Sequence, residues 1–87
     1  MKNFFNIDYM NHNIKVTNKW NDCSLIIDDV VMSAYKSVVA FNFKLTGEIE
    51  IEKEKVEIVF EFRNGFPRAT LSLSANGEIL ATKKIFT

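Results

Sequence analysis

Apolar and polar side chains alternate with a period of two along most of this chain. Across residues 39–45 the odd positions Val39, Phe41, Phe43 and Leu45 are large and apolar, while Ala40, Asn42 and Lys44 face the other way. Glu48, Glu50 and Glu52 then alternate with Ile49 and Ile51. Val56, Ile58, Phe60 and Phe62 continue on even positions, with Glu57, Glu61 and Arg63 opposite, and Ala69, Leu71, Leu73 and Ala75 alternate with Thr70, Ser72 and Ser74. His12 opens a further segment with Ile14 and Val16 inward. Period two is the signature of strands with one buried and one wet face.

Turn chemistry falls between these segments. Asn76-Gly77 is the preferred pair for a type I′ hairpin turn, which needs φ > 0 at both positions. Asn64-Gly65 with Pro67 makes a longer break, and Asp28-Asp29 is a tight turn without its usual glycine. Thr46-Gly47 reads as a turn or as a bulge. The best helical window, residues 30–39, carries Val30, Val31, Val38 and Val39, whose branched Cβ loses χ1 freedom in a helix. A short helix or irregular crossing is expected only near residues 32–36. The count is seven or eight strands with short connections and no internal repeat in the sequence. That predicts an all-β, antiparallel sandwich, with a small closed barrel as the alternative. At 87 residues the chain is one domain, residues 1–87.

Register arithmetic brings charge into the picture. A hairpin joining residues 48–52 to 56–62 with both apolar sets on one face needs opposed residue numbers with an odd sum. A sum of 105 sets Glu50 against Lys55 and Glu48 against Glu57, and a sum of 107 sets Glu52 against Lys55 and Glu50 against Glu57. Either way Glu48, Glu50, Glu52, Glu57 and Glu61 share an acidic outer face with Lys55 inside it. Such a face attracts a basic partner or simply keeps the sheet solvated and its edge unpaired. Its carboxylates lie about 7 Å apart along a strand, too dispersed for the converging oxygens of a calcium site.

Candidate chemistry is sparse. Eleven basic and eleven acidic side chains balance, and the three glycines form no phosphate loop. Neutrality excludes a general attraction to nucleic acid or anionic membrane, and no apolar run approaches the ~20 residues of a membrane helix. Cys23 is the one thiol and His12 the one imidazole. Depending on register they lie side by side or at opposite ends of neighbouring strands. A buried, inert Cys23 is the simpler expectation. With no internal disulfide and no leader-like N-terminal segment, the expected address is cytoplasmic. No catalytic residue, metal or cofactor is assigned.

Two aromatics escape the alternation: Trp20, beside Lys19, and Phe66, between Arg63 and Arg68. They either plug one end of the core or serve as contact residues. The candidate contact set is therefore Trp20, Phe66, Arg63, Arg68, Glu48, Glu50 and Glu57.

The segments HNIKV, SLIIDD, FKLTG, VEIVFEF, NGF and LSLSANGEIL follow one another in an order that resembles the first β-domain of the Fas apoptotic inhibitory molecule family. The likeness spans about residues 12–85. Asp29 stands where that family's turn usually has Gly, and one such domain is present where the animal proteins carry two in tandem. The resemblance implies an antiparallel sandwich with no catalytic residues to carry over. It also implies action through protein contacts or by pairing of two copies as a homodimer. A barrel binding a small hydrophobic ligand, lined by Phe41, Phe43, Phe60 and Phe62, is the alternative expectation.

Overall fold

The computed structural model describes residues 2–19, 22–36, 42–65 and 67–86. Eight strands follow in chain order: β1 (Lys2–Tyr9), β2 (His12–Lys19), β3 (Asp22–Ile27), β4 (Val30–Lys36), β5 (Phe43–Ile51), β6 (Glu54–Arg63), β7 (Arg68–Ala75) and β8 (Glu78–Phe86). They form two antiparallel four-stranded sheets, ordered β1-β2-β3-β4 and β5-β6-β7-β8. The sheets do not close into a barrel, so of the two expected architectures the chain adopts the sandwich.

The inward phase predicted from alternation is the buried one. Ile14, Val16, Leu25 and Ile27 from one sheet meet Leu45, Ile58, Phe60, Leu71 and Leu73 from the other in a single core. Phe60 is its hub: the rings of Phe4, Phe5 and Phe43 each lie with centroids 6.1 Å away. Phe43 stacks at 4.2 Å on Tyr35 and at 5.2 Å on Phe62, so aromatic contacts run from β4 across to β5 and β6. Phe43, Phe60 and Phe62, expected to line a ligand barrel, pack against one another; Phe41 lies outside the described residues.

Four two-residue turns carry positive φ at both positions: Met10-Asn11, Asp28-Asp29, Glu52-Lys53 and Asn76-Gly77. This is the type I′ geometry whose twist matches that of the flanking strands. Only the last has the Asn-Gly signature, so the other three were invisible to turn chemistry except as Asx or polar residues. Asp28-Asp29 is the tight turn expected. The β5–β6 register pairs Ile49 with Val56 and Glu50 with Lys55, which selects the sum of 105 over 107.

Two expectations need correction. Residues 32–36 are neither helix nor irregular crossing but most of β4, an edge strand half covered by the core beneath it. Its Val-rich run favours extended backbone. Thr46-Gly47 is neither turn nor bulge, because β5 pairs without interruption from Phe43 to Ile51. Gly47 is small for another reason: a Cβ there would lie 2.9 Å from Met32 Cβ and Cγ and 3.1 Å from Ile27 Cδ1. The missing side chain lets β4 settle onto β5. Finally, the sequence shows no repeat, yet the two sheets are the same four-stranded meander built twice.

Edge strands explain the remaining irregularities. β1, β4 and β8 each carry one extra residue relative to their neighbour, at Phe4, Met32 and Leu80. Bulges twist an edge out of shape for pairing with another chain. The unbulged edge, β5, instead carries Lys44, Glu48 and Glu50 on its exposed phase. In β1 the bulge also turns both Phe4 and Phe5 toward Phe60.

Candidate functional site

At one end of the sandwich the β1–β2 and β5–β6 hairpin tips approach each other around an open cleft of about 330 Å³. Met10, Asn11, His12, Glu50, Ile51 and Glu52 line it. His12 sits at the start of β2 on the same phase as Ile14, so its ring faces between the sheets rather than away from them. Its Nδ1–H donates to Asp28 Oδ2 at 2.6 Å. Asp28 Oδ1 in turn accepts the Asn13 backbone N–H at 2.9 Å, and the Asp28 backbone N–H donates to the Asn13 carbonyl at 2.9 Å.

The electrostatics follow from these partners. The Asp28 hydrogen bond raises the His12 pKa above the usual 6.5; desolvation, next in size, opposes it, and the Asp28 charge and the Glu50 backbone add to the rise. The Asn13 N–H and the His12 hydrogen bond hold the Asp28 carboxyl below the usual 3.8. Each partner favours the charged form of the other.

The same backbone bridge recurs in the second sheet without the charge. The Asn76 N–H donates to the Glu57 carbonyl at 2.8 Å, and Asn76 Oδ1 accepts the Glu57 N–H at 2.8 Å. Asp28 and Asn76 occupy the same place, the first position of the turn between third and fourth strands of their sheets. Sequence reasoning had Asp28 and His12 separately and no spacing to join them. The signal was the β2–β3 register, which opposes Ile14 to Ile27 and thereby sets Asn13 beside Asp28.

Cys23 and His12 lie at opposite ends of their hairpin. Cys23 is opposite Asn18, six residues from His12 and about 20 Å away along the strand. The thiol is buried, and burial with the neighbouring Asp22 charge pushes it up to about 12. The two cannot act as a nucleophile and base. Among the described residues no three His, Cys, Asp or Glu side chains converge as a metal site would need.

The candidate contact residues divide into two groups on the second sheet. Glu48, Glu50 and Glu57 are exposed near the β5–β6 turn, with Glu48 facing Glu57 and Lys55 Nζ 3.8 Å from Glu48. Arg63 and Arg68 are exposed at the other end, about 20 Å from Glu57, and Arg63 lies 3.6 Å from Glu61. Trp20 and Phe66 lie outside the described residues. What alternation missed is an apolar surface on β4: Val30 is 56% exposed, Val31 59% and Met32 38%. On the outer face Val31 is paired with the half-buried Ile26, which is paired with Lys15.

No family model matches this chain, and no curated protein or solved structure does.

Proposed function

We propose that this is a non-enzymatic, cytoplasmic β-sandwich that acts through protein contacts, self-association among them, with strand β4 as the contact surface. The observation that carries the reading is the gathering of three exposed apolar side chains on one edge strand: Val31, beside Ile26 on the outer face, and Val30 and Met32 at the inner margin. Scattered surface apolar residues are ordinary, whereas apolar side chains gathered at one sheet edge beside a polar rim mark a contact site. Asp28, Asp29 and Lys36 form that rim. The wide separation of Cys23 from His12 supports the non-enzymatic part, and so does the resemblance to the Fas apoptotic inhibitory molecule family. The acidic stripe of Glu48, Glu50 and Glu57 serves in this reading as a solvated face and edge guard.

Photo-crosslinking tests it. A photoreactive residue at position 31 should trap one defined protein, or a second copy of the chain. The same residue at Thr82, on the outer face of the other sheet, should not. Equal, diffuse trapping from both positions overturns the reading. Light scattering then separates its two forms, since a strictly 10 kDa species at high micromolar concentration removes self-association.

A further inference from the structure

Among the described residues, β4 is paired with a strand on one edge only, that of β3. The register with β3 assigns its side chains to faces. Val30 is opposite Ile27, Ser33 opposite Leu25 and Tyr35 opposite Cys23, so all three point inward with those buried partners. Val31, Ala34 and Lys36 are opposite Ile26, Ser24 and Asp22 and point outward. Met32, the extra residue of the bulge, turns inward onto Gly47. From residue 30 to residue 35 the order is in, out, in, in, out, in. It reads the same from either end.

We infer that the occupant of this free edge is β4 of a second copy, antiparallel about a two-fold axis between Met32 and Ser33. The inference rests on β4 being the contact surface and names what meets it. Residues opposed across an antiparallel pair share a face. This axis sets Val30 against Tyr35, Val31 against Ala34 and Met32 against Ser33, each pair on one face. A straight strand meets a bulge out of phase, because the extra residue moves every side chain beyond it to the other face. A second copy brings a matching extra residue and stays in phase. Charge agrees: Asp29 of each copy falls opposite Lys36 of the other, and the six residues between them carry no charge. The Ser33 hydroxyl is buried with no hydrogen-bond partner among the described residues. The axis places it beside the same hydroxyl of the second copy, one donating and one accepting.

The other edges lack this combination. β8 repeats the bulge, but its inward phase holds Glu78 and Lys83, opposite the buried Ala75 and Leu71. Inward-pointing charge on an edge strand keeps it wet and unpaired. About its own bulge, β1 sets Lys2 opposite Ile7, with no carboxylate to answer it. β5 has no bulge and exposes Lys44, Glu48 and Glu50. A single strand pair is a small interface, so the dimer is weak and reversible.

Two measurements test the register. In a Cys23→Ala background, Val31→Cys with Ala34→Cys should oxidise to a doubly bridged dimer, because opposed Cα atoms lie about 4.5–5.5 Å apart, within disulfide reach. Within one chain the two positions are ~10 Å apart and cannot bridge. Val30→Cys with Ala34→Cys sets the thiols on opposite faces and should not link. By sedimentation equilibrium, Lys36→Asp should weaken dimerisation ~10-fold, and adding Asp29→Lys should restore most of it. Lys36 also faces Asp22 within its own sheet. The double variant retains that internal clash, so its recovery comes only from the second copy. Equal bridging by the two cysteine pairs, or no recovery in the double variant, overturns the inference. A strictly 10 kDa species at high micromolar concentration that still traps another protein from position 31 also overturns it, and leaves β4 as a contact surface. The absence of any trapping from position 31 removes the surface itself.

Discussion

The two sheets run the same course: four antiparallel strands in chain order, with a two-residue turn after the first strand and another before the last. Each bridges its last turn back to its second strand, through Asp28 to Asn13 in one and Asn76 to Glu57 in the other. Each then bulges at the third residue of its last strand, Met32 or Leu80. The differences are chemical. The first sheet completes the bridge with a carboxylate paired to a histidine; the second uses a neutral amide and the Asn-Gly turn. One geometry is thus met in two ways, of which only the first has titrating side chains.

The core differs too. Three residues beyond the bridged position, β2 has Val16 and β6 has Phe60, both fully buried. Phe60→Ala should cost about 3–5 kcal/mol and Val16→Ala about 2 kcal/mol, read from urea denaturation. Equal losses would mean that the two sheets contribute alike and that Phe60 is no hub. Five residues before the first turn of each sheet, β1 has Phe5 and β5 has Gly47. Gly47→Val should destabilise by about 1–3 kcal/mol through collision with Met32. Adding Met32→Ala should recover part of that loss in a double-mutant cycle; strict additivity would show that the close approach is not the cause.

The turns carry smaller differences. Gly77 has φ 85°, so Gly77→Ala should cost about 1–2 kcal/mol. Asp29 has φ 65° and no glycine's freedom, so Asp29→Gly should stabilise by about 0.5 kcal/mol. A thermal melt that moved the same way for both would break the parallel between the turns. On the pH axis, stability should decline above the imidazole range in the unmodified protein and stay flatter in His12→Gln. The smallest effect is kinetic: with its thiol pushed up to about 12, Cys23 should alkylate slowly at neutral pH, and rapid labelling of the folded protein would contradict its burial.

Much of this was legible in the chain because strands announce themselves locally. Residues 56–62 and 69–75 bury alternate side chains as their pattern requires, and Glu48–Glu57 opposition was one of two registers that parity allowed. β4 was not legible, since an edge strand with exposed Val30 and Val31 does not alternate and can be confused with a helix or a crossing. Gly47 misled for the opposite reason: glycine in a strand signals a break in the backbone, whereas here it accommodates a neighbour from the other sheet. His12 and Asp28 were visible as residue types, and their partnership rested on a register set by three strands at once.

By itself, the sequence determined the all-β class, the inward phase of the confident strands and the acidic outer face of β5 and β6, because these depend on residues one or two apart. The tertiary structure decided the rest: two repeated meanders, the settling of Met32 on Gly47, the apolar side chains exposed on β4, and a histidine paired with the carboxylate of a distant turn. Those depend on contacts between residues far apart in the chain, which a period of two cannot encode.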